Sequence, residues 1–207
     1  MKKVLILVAT LFVGLQANAQ LQVDGGYQHF FEQSQITLAN SKNIVNSGWD
    51  GFYAGARYNI GLPVHGLSVI PGANLSFMFS KEQTVNNANY REVALNIPVD
   101  VAYTLNFGIV KVRAFAGPTV QVGLLNHLVS RGGNSTHSYN MYVDNDNPYS
   151  LNGRTRLNVS LGFGAAAVVK DSFTAHLRYD LGLVNLTTAQ YTKLFRNTLQ
   201  IGVGYIF

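Results

Sequence analysis

The sequence predicts an all-β fold, a single eight-stranded antiparallel up-and-down transmembrane β-barrel, and three observations predict it. Segment after segment alternates apolar and polar residues with a period of two. The connectors between these segments alternate between short and long. Composition is intermediate: hydrophobic residues make up 47% and charged residues 12%, with a mean hydropathy of +0.10. A soluble domain carries about twice that charged share, and a bundle of membrane helices is more apolar. Strands with one face on lipid and one on a polar lumen average to such values.

The first segment is not part of the fold. Lys2-Lys3 form a basic start, Val4 to Leu15 form an apolar run, and Ala17-Asn18-Ala19 places small residues where a signal peptidase reads. Residues 1–19 are therefore expected to be a secretory signal and 20–207 the barrel domain, because the apolar run is too short to cross a bilayer as a helix.

The opening strand, about 21–32, is the weakest: Leu21, Val23, Tyr27 and Phe31 oppose Gln22, Asp24, Gln28 and Glu32, and His29 breaks the apolar face. Near 51–61, Phe52, Ala54, Ala56, Tyr58 and Ile60 oppose Gly51, Tyr53, Gly55, Arg57 and Asn59. Near 67–80, Leu67, Val69, Ala73, Leu75, Phe77 and Phe79 oppose Ser68, Gly72, Asn74, Ser76 and Ser80. From about 90 to 105, Val93, Leu95, Ile97, Val99, Val101, Tyr103 and Leu105 oppose Glu92, Asn96, Asp100 and Thr104.

Val110, Val112, Ala114, Ala116, Val120, Val122 and Leu124 then oppose Lys111, Arg113, Gly117, Thr119, Gln121 and Gly123. After a long gap, Leu157, Val159, Leu161, Phe163, Ala165 and Ala167 oppose Arg156, Asn158, Ser160, Gly162 and Gly164. Phe173, Ala175, Leu177, Tyr179, Leu181 and Leu183 oppose Thr174, His176, Arg178, Asp180 and Gly182. The last strand sets Phe195, Leu199, Ile201, Val203, Tyr205 and Phe207 against Arg196, Thr198, Gln200, Gly202 and Gly204. Strands of about ten residues cross a bilayer when tilted.

Connectors near 62–66, 106–109 and 170–172 are short, and those near 33–49, 81–89, 127–153 and 185–194 are long. Aromatics on the apolar face gather at strand ends: Phe31, Phe52, Phe79 and Phe195 toward the long connectors, and Tyr103, Phe173, Tyr205 and Phe207 toward the short ones. That is the pattern of aromatic girdles at two membrane interfaces. Glycines decide which face is inside. Gly51, Gly55, Gly117, Gly123, Gly162, Gly164, Gly182, Gly202 and Gly204 share the polar face, as a crowded interior requires and an exposed surface does not.

The polar face also carries Asp24 and Glu32, together with the charges expected to form a luminal network: Arg57, Glu92, Asp100, Lys111, Arg113, Arg156, Arg178, Asp180 and Arg196. Opposite charges in a narrow, low-dielectric interior pair and hydrogen-bond. They read either as a plug of salt bridges or as the lining of a selective conductance. An eight-stranded lumen is just wide enough for side chains, which favours the plug.

The terminal run from Leu199 to Phe207, the signal ending Ala17-Asn18-Ala19 and the alternating strands resemble the small outer-membrane β-barrel proteins of Gram-negative bacteria, the OmpA/OmpX/OmpW-like group also called the porin family or outer membrane protein beta-barrel domain. The resemblance spans the whole mature chain and is architectural. It implies an outer-membrane location with both termini periplasmic, and recognition of Ile201, Val203, Tyr205 and Phe207 by the barrel-assembly machinery. Outer-membrane lipid and lipopolysaccharide are the expected surroundings, the barrel is expected to be a monomer, and any extracellular ligand is unknown.

Motifs for chemistry are sparse. With no cysteine there is no disulfide framework or thiolate metal site. The formal charge is +5, to which Lys2 and Lys3 contribute, and no Lys/Arg run accompanies it, so nucleic acid is not an expected partner. His127 with Ser130, and His137 with Ser138, lie in a connector too loose to hold a triad. Lipid-modifying barrels of similar fold carry a His-x-Ser pair on the membrane side of a strand, and His29 faces that side without an evident partner. Asp144-Asn-Asp146-Asn lacks the glycine and distant glutamate of a calcium loop. Tyr139, Tyr142 and Tyr149, among Asn and Ser, suit an adaptable binding surface. The expectation is a non-enzymatic barrel without metal or cofactor, acting in envelope structure or surface interaction through its extracellular loops. A narrow porin-like channel for small solutes or ions is the alternative, with an outer-membrane lipid-modifying enzyme behind it.

Overall fold

The structure is a computed structural model and describes residues 19–38, 41–82, 88–132, 135–142, 153–188 and 191–207. The expected signal segment, apart from Ala19, and the Asp144–Asp146 motif lie outside the described residues. Nine strands are present among them: β1 (Ala19–Leu38), β2 (Ser41–Gly61), β3 (Leu67–Glu82), β4 (Ala88–Asn106), β5 (Val110–Gly132), β6 (Ser135–Asn140), β7 (Leu157–Val169), β8 (Phe173–Gly182) and β9 (Thr192–Ile206). All pairings are antiparallel, and eight strands close into a ring when β4 pairs with β5. β6 pairs only with the end of β5 and stands outside the ring.

The alternation places faces as expected. Leu21, Val23, Phe52, Phe77, Val101, Leu161, Leu177 and Val203 point outward and are exposed. Gln28, Glu32, Ser76, Asp100, Asn126 and Arg178, on the other face, are buried in the lumen. A wall this apolar is stable only against lipid. At one end, Phe173 packs edge-on against Tyr205 (5.4 Å between centroids) and Tyr205 against Phe207 (5.0 Å). At the other, Phe31 and Phe163 both approach Tyr179.

The short turns fall where the chain must reverse at once. Between β7 and β8, Lys170 and Asp171 both take positive φ (51° and 58°), and the Ser172 N–H donates to the Val169 carbonyl at 3.2 Å. This is a primed two-residue hairpin whose twist matches the strands. Gly66 and Gly108 supply positive φ in the other two turns.

The long connectors differ from expectation. Residues 33–38 and 41–49 do not form a loop. They continue the β1–β2 ladder out to Leu38↔Ser41. Likewise β3 runs to Glu82, and β5 runs past Asn126 to Gly132 before pairing with β6. Consecutive polar residues (Gln33, Ser34 and Gln35) stand on β1 and consecutive apolar ones (Ile44 and Val45) opposite them on β2, so the apolar alternation stops while backbone pairing continues. A bulge between Val93 and Ala94 on β4 pairs Leu125 and Gly123 with consecutive residues and lets Leu124 through unpaired. Both Leu124 and Leu125 are exposed, and the parity of β5 flips beyond them, turning Asn126 inward.

Candidate functional site

The lumen is filled in tiers, beginning at the long-connector end. Arg196 of β9 crosses the interior to two strands at once. Its Nη2 lies 2.6 Å from Glu32 Oε1 on β1, and its Nη1 lies 2.5 Å from Glu92 Oε1 on β4. The guanidinium stacks on Phe30 at 4.3 Å. Asn126, turned inward by the bulge, donates to Glu92 Oε2 at 3.0 Å. Arg154, just ahead of β7, completes this tier from above: Nη1 and Nη2 donate to Glu32 Oε1 and Oε2 at 2.9 and 2.7 Å, a bidentate pair. Arg154 also lies over the ring of Trp49 at 5.1 Å, above a buried group of Phe30, Trp49 and Met78.

In the middle, Arg178 holds Asp100 at 2.7 Å and Asp180 at 2.9 Å, and donates to the Thr119 hydroxyl at 2.7 Å. Gly162 makes room for it, since a Cβ there would overlap both Arg178 Nη2 and an Asp180 oxygen. An amide ladder lies alongside: Gln121 donates to Asn96 at 2.8 Å, Asn96 to Asn74 at 2.8 Å, and Gln200 to Gln28 at 3.0 Å. One void at this level and another in the Arg196 tier above it measure about 10 Å³ each, room for roughly one water. Nearer the short turns, Arg57 Nε lies 2.9 Å from Asp24, and the Tyr53 hydroxyl lies 2.6 Å from His176 Nε2.

Beyond these tiers the short-turn end opens. A cavity of about 430 Å³ there is lined by Asn59, Ser68, Thr104, Lys111, Arg113 and the 62–66 turn. Lys111 is half-buried and pairs with Asp171 at 2.5 Å. Arg113 is buried, and its recorded hydrogen bond runs from Nε to Thr104 Oγ1 at 3.4 Å.

Of the nine charges expected in the network, the structure buries Arg57, Glu92, Asp100, Arg113, Arg178, Asp180 and Arg196 in the lumen. It brings Arg196 to Glu92, and Arg178 to Asp100 and Asp180. Lys111 sits at the mouth. Arg156 stands apart: it is exposed, donates to the carbonyls of Gly123 and Leu124 at 3.3 and 3.2 Å, and covers the Tyr142 ring at 4.7 Å. It lies just ahead of β7, where its carbonyl still accepts from the Gly123 N–H at 2.7 Å but its side chain turns out over Tyr142 instead of into the network. Sequence reasoning missed Arg154, whose partner is 122 residues away and whose connector has no period. The lumen therefore holds five guanidiniums (Arg57, Arg113, Arg154, Arg178, Arg196) and five carboxylates (Asp24, Glu32, Glu92, Asp100, Asp180) among the described residues, equal in number although Arg113 meets none of the five.

On the outer wall, His29 does have a partner. Its Nδ1 lies 2.7 Å from Asp50 Oδ1, and the Tyr27 hydroxyl donates to the same oxygen. Ile201, Val203, Tyr205 and Phe207 all point outward and are exposed on β9.

The description of one family, the outer membrane protein beta-barrel domain, matches residues 5–207. The chain belongs to that family. Among solved structures, this family member is similar to Ail, the attachment invasion locus protein of Yersinia pestis (14% identity, TM-score 0.43, covering 89% of this chain and 98% of that one). It is also similar to Neisserial surface protein A (13%, 0.44, 92% and 99%) and to OprG from Pseudomonas aeruginosa (11%, 0.45, 91% and 96%). No curated protein sequence matches the chain. The family match and the closed ring of eight antiparallel strands give the chain the fold of an outer-membrane β-barrel.

Proposed function

We propose that this chain is a non-enzymatic outer-membrane barrel with a plugged lumen, acting through the surface its long connectors build. The observation that carries this reading is the Arg154 latch. Held by both nitrogens on Glu32 and stacked over Trp49, it pins the residues just before β7 across the end of the lumen. On this reading the short turns and both termini face the periplasm, residues 1–19 are removed on export, and the assembly machinery reads the outward residues of β9. The mature barrel then sits as a monomer in lipid and lipopolysaccharide. Acyl-transfer chemistry lacks a nucleophile here, because the partners of His29 are Asp50 and Tyr27 rather than a serine.

A narrow channel is the second reading, and the open cavity at the short-turn end favours it. Planar-bilayer recording of the refolded mature protein tests both, with heat-modifiable gel migration showing that the barrel has formed. A silent membrane is expected. Reproducible conductance steps that change with Arg57→Ala or Arg113→Ala overturn the plugged barrel in favour of the channel.

A further inference from the structure

Three groups at the short-turn mouth lack the partners their burial calls for. Arg113 is 6% exposed, lines the cavity, and faces no carboxylate among the described residues. Arg57, of the same sign and already committed to Asp24, and Lys111, paired with Asp171 at the rim, do not neutralise it. The Ser68 hydroxyl and the Asn59 side-chain carbonyl oxygen are buried on the same cavity wall, and neither has a hydrogen-bond partner. Throughout the rest of the lumen each guanidinium meets a carboxylate within 3 Å. An unpaired buried cation is costly, and a bound counter-charge removes that cost.

The three groups define complementary chemistry. The free nitrogens of Arg113 form the planar fork that suits a carboxylate or phosphate. Ser68 adds a neutral donor for an anionic oxygen. Asn59 Oδ1 is an acceptor, so it calls for a hydroxyl or N–H on the same ligand. The Lys111–Asp171 pair stands at the rim with the Asp171 carboxylate largely exposed, and leaves the entrance without an excess of negative charge. A volume of about 430 Å³ is within the range of small-molecule sites.

We propose that the short-turn mouth of the barrel is a binding site for a small anion that carries a hydroxyl or N–H donor beside its carboxylate or phosphate, with Arg113 as its anchor. On the topology proposed above this mouth opens to the periplasm. The site itself does not depend on that orientation or on whether the lumen conducts.

The test is titration of the refolded mature protein in micelles at low salt with inorganic phosphate, glycolate and acetate, followed by NMR shifts of the backbone amides around Ser68 and Arg113. Saturable shifts at both positions are expected for hydrogen phosphate and glycolate, each binding more tightly than acetate, which has no donor for Asn59. Tighter phosphate binding assigns the site to phosphate-bearing solutes, and tighter glycolate binding to hydroxy acids. Arg113→Met lowers affinity by about tenfold or more, while Arg154→Ala, at the far end, leaves it unchanged. If Arg113→Met does not refold, Ser68→Ala carries the test with a loss of about threefold. Absence of saturation with all three anions overturns the site, and so does an Arg113→Met titration that matches the wild type. Equal affinity for acetate and glycolate overturns the role given to Asn59.

Discussion

Arg196 and Arg113 are similarly buried in one lumen, yet Arg196 meets Glu32 and Glu92 within 2.6 Å while Arg113 reaches only a threonine hydroxyl at 3.4 Å. The long-connector half is neutral within each contact, sealed by stacked aromatics, and left with voids of about 10 Å³. The short-turn half is open, and one of its charges, Arg113, meets no carboxylate among the described residues. Charge in a narrow barrel thus plays two roles. Where all partners come from the chain, the charges hold strands together across the lumen. Where a partner is missing, the charge selects what enters.

The sharpest break of this contrast comes from Arg196. Arg196→Met leaves the buried Glu92 with no cation and Glu32 with Arg154 alone, and is expected to destabilise the folded barrel by about 3–5 kcal/mol, read from urea unfolding in micelles or vesicles. Combining it with Glu92→Gln, which leaves the Arg154–Glu32 pair in place, recovers much of that loss, whereas failure to recover any of it would show that packing over Phe30 rather than charge holds this tier. Gly162→Ala comes next, at about 1–3 kcal/mol, because the new methyl displaces the Arg178 guanidinium from Asp180.

Arg154→Ala leaves Glu32 paired with Arg196, so its expected cost is only about 1 kcal/mol. Its signature is optical. Trp49 is the single tryptophan of the chain, and uncovering it red-shifts the emission. An unshifted spectrum would mean that Arg154 does not cover the lumen. Arg113→Met is the smallest effect: with no ion pair to break, stability changes by about 0.5 kcal/mol or less, or rises. A loss comparable to that of Arg196→Met would erase the difference between the two ends.

What the sequence made legible follows from the two solvents the wall separates. Between the girdles, lipid on one side and a polar lumen on the other force a period of two, so the facing of Phe52 against Arg57, or of Leu177 against Arg178, is written in the chain. Beyond the girdles water lies on both sides and the constraint ends. The extensions of β1 and β2 keep their backbone pairing, and no alternating side-chain pattern announces them. The bulge at Leu124 reverses parity beside Gly123, a glycine that also fits the crowded polar face and so does not by itself announce a bulge, and the strand pattern gives no sign that Asn126 turns inward to Glu92. Arg154 was illegible for another reason. Its site exists only once β1 and the connector before β7 meet, and nothing local in either segment encodes that meeting. The polar face of each strand could be read, but not which charge would lack a partner.

The seam between β1 and β9 runs over fifteen residue pairs, from Gln22↔Ile206 to Ile36↔Thr192, and the Phe207 N–H adds a bond to the Leu21 carbonyl. The first strand to leave a ribosome therefore waits for the last residue of the chain before one of its edges is covered. Until then two strand edges and every luminal charge are open to solvent, and no partial ring can bury them. Closure is a single late event that joins residues more than 150 positions apart, with the entropic penalty such a loop carries. A truncation of only a few C-terminal residues should thus act on the whole population of molecules, by leaving the ring unzipped, rather than shaving stability from an otherwise finished barrel.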